Sequence, residues 1–123
     1  MAKTVLVADD EWHILDIVSM KLSNAGYEVI KALDGVEAFE LATAAPPCLV
    51  ITDFQMPHMS GVELCRKLSE VGSTRSIPII LLTARGFDIE PHEVQATNVV
   101  DVMAKPFSPR ELLKKVHDLV GDP

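Results

Sequence analysis

The sequence predicts an α/β protein built on a doubly wound parallel sheet of five strands with five helices. Three observations carry this. Short apolar runs alternate five times with stretches of helical spacing, the order that builds parallel sheets with right-handed crossovers. The strand runs are apolar almost throughout, as expected of strands covered on both faces. The chain has 123 residues, 48% of them hydrophobic, which suits one domain around one core.

Residues 3–8 form the first predicted strand, which runs into Asp9, Asp10 and Glu11. Ile14, Leu15, Val18 and Leu22 share one face of a first helix, and Gly26 ends it as a C′ residue. The acids at its start suit the positive end of the helix dipole, and Glu11 is assigned that role alone. Residues 27–32 are the second strand. Asp34 and Glu37 have the spacing of a capping box. The helix they open turns Val36, Phe39 and Ala42 inward and stops before Pro46 and Pro47. The apolar run 48–51 is the third strand. It ends at Asp53, and Met56-Pro57 cannot continue it. After Ser60 and Gly61 a third helix places Leu64, Leu68 and Val71 on one face, and residues 72–76 are a polar connector. The most apolar stretch, 77–82, is a central strand ending at Thr83. Residues 87–98 offer little apolar face beyond Val94 and are assigned a short, mobile fourth helix. Residues 99–103 are the fifth strand, interrupted by Asp101 and closed by Lys105, Pro106 and Phe107. Ser108, Pro109 and Glu111 then stand at N-cap, N1 and N3 of the last helix. Its stripe is Leu112, Leu113, Val116, Leu119 and Val120, and it ends at Gly121.

Net charge is −7, which opposes a nucleic-acid-binding face or an anionic membrane surface, since both select basic patches. Cys48 and Cys65 are the only cysteines and read as core thiols. No signal peptide and no apolar run long enough to span a bilayer is present, so the expected compartment is the cytoplasm. His13, His58, His92 and His117 lack metal-ligand spacing and are read as surface or loop residues. Trp12 is read as packing on the first helix.

Four strand ends carry polar groups that a purely structural reading leaves unexplained: Asp9-Asp10, Asp53, Thr83 and Lys105. Individually each is bland, because Asp is common in turns and Lys is usually solvated. A parallel sheet puts all four on one edge, where ligands of open α/β sheets bind. Three carboxylates converging there cannot all stay ionised unaided. A hard divalent cation such as Mg²⁺ offsets them, Lys105 adds a positive charge and Thr83 a hydroxyl. These are the parts of phosphoryl transfer to an Asp nucleophile.

On these motifs the chain resembles the receiver domains of two-component response regulators, in a chemotaxis-regulator-like form. The matching elements are Asp9-Asp10, Asp34-Gly35-x-Glu37-Ala38, Asp53-x-x-Met56-Pro57-x-Met59-x-Gly61, Thr83-Ala84 and Lys105-Pro106-Phe107. They span nearly the whole chain, so residues 1–123 are expected to be one receiver domain. The resemblance implies a flavodoxin-like sheet of order 2-1-3-4-5. It implies that Asp53 accepts a phosphoryl group from a phosphohistidine on a sensor histidine kinase or histidine phosphotransfer protein. Mg²⁺ would be held by Asp10, Asp53 and the backbone carbonyl of Gln55, with Asp9 acting mainly through a bound water. Thr83 and Lys105 would hold the phosphoryl oxygens, and the Lys105–Pro106 peptide would be cis. The domain would be a phospho-acceptor catalysing only its own phosphorylation and dephosphorylation, rather than an enzyme acting on other substrates. Its conformational shift would control an output partner or effector domain, with phosphorylation-dependent dimerisation one route. Gln55 and Arg85 would flank the phosphoryl group. The family often has Tyr or Phe three residues before the Lys, where this chain has Val102. Thr83 and the loop after it are therefore expected to move without an aromatic partner, or output to use another surface. Asn98-Val99 also stand where Gly-Ala is common.

Two rivals fall short on residues. A phosphatase with an aspartyl nucleophile wants a second Asp two positions after the first, and that position is Gln55. A flavin-binding module wants a phosphate loop after the first strand, where Asp9 and Asp10 would repel phosphate. A receiver cut from a longer protein stays open, with no effector segment after Gly121 in this chain.

Overall fold

The computed structural model describes residues 3–84 and 97–123. Its strands are β1 (Thr4–Ala8), β2 (Glu28–Ala32), β3 (Leu49–Asp53), β4 (Ile79–Thr83) and β5 (Val99–Ala104). Its helices are α1 (Trp12–Asn24), α2 (Gly35–Ala44), α3 (Gly61–Glu70) and α4 (Pro109–Val120). All neighbouring strands pair in parallel, in the order β2-β1-β3-β4-β5. The predicted fold class and strand order hold. The short helix expected over 87–98 falls largely on residues outside those described.

The continuous apolar runs are explained by two cores, one on each face of the sheet. Val5, Val7, Leu49, Ile51, Ile80 and Leu82 face α1 and α4, meeting Leu15, Val18, Leu22, Leu112 and Val116. The alternate residues Leu6, Ala8, Val50, Ile79 and Leu81 face α2 and α3, meeting Ala38, Ala42, Leu64, Cys65 and Leu68. A period of two therefore assigns each apolar residue of β1, β3 and β4 to one core or the other, and none is left for solvent in β3 or β4.

The caps follow the sequence closely. Asp34 accepts the Glu37 amide at 2.8 Å, and the Glu37 carboxylate accepts the Leu33 amide at 2.9 Å. Ser108 accepts the Glu111 amide behind Pro109. Gly26 follows α1 at φ +108°, a conformation open to glycine.

Three helix faces differ from expectation. In α2 Ala42 is buried and Phe39 packs against the core as expected, but Ala38 is buried where Val36 is exposed. Val71 lies beyond the end of α3, where Val62 and Cys65 complete the buried face. Leu119 is exposed on α4, because the stripe narrows to Leu112 and Val116 with Leu113 and Val120 at its margin. Trp12, expected to pack on the first helix, is 66% exposed. Asp101 does interrupt β5. Ile79 pairs with Val99 and Ile80 with Asp101, so Val100 is an extra residue, and Asp101 accepts the Val102 amide and pairs with Lys115.

Candidate functional site

The parallel register carries the ends of β1, β3, β4 and β5 to one edge. Ala8 pairs with Thr52, Asp53 with Leu82, and Thr83 with Ala104. The residues just past these positions are therefore neighbours by construction. Backbone bonds fix them: Phe54 N–H donates to Leu82 O at 2.7 Å and Lys105 N–H to Thr83 O at 2.7 Å. The Lys105–Pro106 peptide is cis, as the resemblance implies.

Two glycines let the loop after β3 close onto this edge. A β-carbon on Gly61 would lie 2.1 Å from the Asp53 carbonyl oxygen, and one on Gly35 would lie 2.4 Å from that of Met59. Neither contact is tolerable, so the starts of α2 and α3 can approach the loop only as glycines. Gly61 N–H also donates to Phe54 O at 2.9 Å, locking α3 to the residue after Asp53.

The result is an open cleft of about 630 Å³ whose wall includes Asp10, Glu11, Asp53, Gln55, Thr83 and Lys105. Asp9 lies beneath it, fully buried, while Asp53 is 7% exposed and Asp10 is open to solvent. Lys105 Nζ stands 2.9 Å from Asp9, 3.2 Å from Asp53 and 3.2 Å from Glu11. Every residue named for the site at the sequence level is thus brought to one place, except Arg85, which lies outside the described residues. Val102 is exposed on β5.

Electrostatics follow from this crowding. The Asp53 carboxyl is pushed up from its ordinary 3.8 to about 6. Burial is the main cause and the Asp9 charge adds to it, while Lys105 pulls the other way and Asp10 pushes further up. For Lys105, burial works to lower the ammonium's pKa. Its hydrogen bond to Asp9 and the charges of Asp53 and Asp9 outweigh that, holding it above the usual lysine range.

The donor set fits a hard divalent cation. One oxygen from each of Asp9, Asp10 and Asp53 lies within 4.8 Å of the other two. The ligands are all oxygen, the Lys105 ammonium already stands between two of them as a monovalent counter-ion, and the Asp10 side is open for retained waters.

Sequence reasoning missed Glu11. It occupies the N-cap of α1 but makes no side-chain capping bond, so the helix-dipole role does not account for where its carboxylate goes. That group turns to Lys105 instead. The available signal was its residue type, since Glu is not among the favoured N-caps.

Comparison with known proteins agrees with this geometry. A family model described as the response regulator receiver domain matches residues 5–117. The chain belongs to that family. The receiver is 38% identical over 118 residues to the phosphate regulon transcriptional regulatory protein PhoB of Pseudomonas aeruginosa, covering 94% of this chain and 51% of that protein. It spans about half the length of the curated relatives it matches. Among solved structures it is similar to the chemotaxis response regulator CheY4 of Vibrio cholerae, with a TM-score of 0.87 and 33% identity over 98% of this chain and all of that one. It is also similar to response regulator TrrA of Thermotoga maritima, solved in complex with Mg²⁺-BeF, with a TM-score of 0.85 and 32% identity over 96% of this chain and 99% of that one. Receivers are signalling domains rather than classical enzymes. Among the described residues no helix is long and apolar enough to cross a membrane.

Proposed function

We propose that residues 1–123 act as a phospho-accepting receiver in a phosphorelay, with Asp53 as the acceptor. The observation that carries this is Lys105 Nζ, which bridges Asp9 and Asp53 at the mouth of the sheet and is the cation that pairs with them among the described residues. An Asp53 oxygen would attack the phosphorus of a phosphohistidine. An O–P bond forms, the N–P bond breaks, and the departing imidazole takes a proton. Hydrolysis by water returns Asp53 and inorganic phosphate. Without a metal ion burial and Asp9 raise this carboxyl to about 6, and a cation beside it would lower that, so Asp53 would be ionised at neutral pH and able to attack.

Asp10, Asp53 and the Gln55 carbonyl would hold Mg²⁺, with Asp9 acting through water. Bound there, the ion would neutralise charge developing on the transferred group. Lys105, already beside Asp53, would pair with a phosphoryl oxygen. Thr83, buried at the end of β4, would donate its hydroxyl to another. Gln55, exposed at the cleft wall, would flank the group. The donor would be a sensor histidine kinase or histidine phosphotransfer protein. The setting would be the cytoplasm, where donors charged from ATP are found. Output would pass to a partner or effector domain, with phosphorylation-dependent dimerisation one means.

Incubation with Mg²⁺ and acetyl phosphate, followed by intact mass over time, tests the assignment. The expected result is one phosphoryl adduct that requires Mg²⁺ and is absent in Asp53→Asn. An adduct that survives in Asp53→Asn would overturn the choice of acceptor.

A further inference from the structure

We infer that Glu11 is a positioning residue for the metal site. It shares the Lys105 ammonium with Asp9 and Asp53, which weakens the hold of that ammonium on the two acids and so eases entry of a divalent cation. This rests on the Mg²⁺ site proposed above and assigns a role to a side chain outside the ligand set.

Three observations carry it. Glu11 stands at the N-cap of α1, a position that rewards a side chain able to bond the first turn, yet it makes no such bond. Its carboxylate is directed at Lys105 Nζ, 3.2 Å away, while its second oxygen faces His13 at 3.7 Å. Its own amide donates to Asp9 Oδ1 at 2.9 Å, so the backbone that aims Glu11 is tied to the buried acid of the site.

The ammonium has three N–H donors. Two of them bond Asp9 and Glu11 at 2.9 and 3.2 Å, and the ammonium also pairs with Asp53 at 3.2 Å. Two of those carboxylates also belong to the cluster that would bind the cation, and Glu11 does not. A divalent ion and an ammonium repel each other and compete for the same two acids. When the ion arrives, Glu11 is the carboxylate still able to keep Lys105 in the cleft. Without it, Lys105 leans wholly on Asp9 and Asp53 and competes harder. Loss of the Glu11 charge also removes some direct attraction for the cation. That second effect is small, because the Glu11 side chain is 49% exposed and solvent screens it.

Mg²⁺ affinity, read by calorimetric titration of the full chain, separates the two. Glu11→Gln is expected to weaken Mg²⁺ binding by roughly three- to tenfold with Lys105 present, and by less than about twofold in a Lys105→Met background. Equal factors in the two backgrounds, or no change in either, would overturn the proposal and leave Glu11 a plain surface charge. Glu11→Asp is the second variant and keeps Lys105 in place. It retains the charge but is one methylene too short to hold the ammonium, so it is expected to weaken binding as Gln does. Wild-type affinity in Glu11→Asp would equally overturn the contact. Failure of wild-type protein to bind Mg²⁺ at all would instead refute the metal site itself.

Discussion

Gly61 sits against the carbonyl of Asp53 so closely that a methyl carbon in its place would lie 2.1 Å from the oxygen. The neighbour is backbone of the residue proposed to accept the phosphoryl group, so it cannot yield without moving the site. Gly61→Ala is therefore expected to destabilise the fold by about 2 kcal/mol or more, as overpacked sites do. The same substitution at Gly72, where an added carbon meets nothing within 4 Å, is expected to be neutral or to stabilise by up to about 1 kcal/mol. Urea denaturation of the pair checks this, and equal midpoints would show that the close approach is not tight.

Asp53 carries a cost in the metal-free fold. Its carboxyl stands at about 6 when folded against an ordinary 3.8, so the folded protein holds this proton more firmly than the unfolded chain. The stability this group contributes is fully present below about pH 4 and is lost as pH rises through about 6. The full difference corresponds to roughly 3 kcal/mol, which screening in the open cleft reduces to roughly 1–2 kcal/mol. Asp53→Asn in the presence of a chelator is expected to be more stable than wild type by that amount at pH 7.5, with the gap closing toward pH 4. A gap that stayed constant across the range would show that ionisation of Asp53 is not its source.

The two cysteines should differ in reactivity. Burial pushes the Cys65 thiol up to about 12 and leaves it no exposed surface, so almost no thiolate forms at neutral pH. The Cys48 thiol is also raised by burial but is only partly covered, beside Thr4 O just before β3. A thiol reagent applied to native protein is expected to titrate Cys48 slowly and Cys65 only after unfolding. Fast reaction at both sites would contradict the packing of α3.

Much of this was legible in the sequence because the strands are buried on both faces. Runs such as 79–82 are apolar without interruption and end abruptly at a polar residue, so strand and site announce themselves together. The caps at Asp34 and Ser108 were legible because capping needs particular side chains at fixed spacing. The inward face of α2 was legible only in part. Phe39 and Ala42 do turn inward, but Val36, the more hydrophobic residue, is exposed while Ala38 is buried, and which neighbours a helix meets is not written in the helix alone. Glu11 was hidden for a related reason. Its neighbour Lys105 is 94 residues away, and the dipole of α1 offered a sufficient local explanation.

Lys105 is the counter-ion of a buried acid, and its removal should show in the metal-free protein. Asp9 is fully buried; among the described residues its partners are the Lys105 ammonium and the Glu11 amide. Lys105→Met leaves that carboxylate with the amide alone, and an uncompensated buried charge of this kind costs about 3 kcal/mol or more. A divalent cation on Asp9, Asp10 and Asp53 would supply the missing charge. Mg²⁺ is therefore expected to raise the Tm of Lys105→Met by more than it raises that of wild type, because in the variant the ion has no ammonium to compete with and more repulsion to relieve. Thermal melts with and without millimolar Mg²⁺ measure both shifts. Equal shifts would mean that ammonium and metal ion do not share these carboxylates.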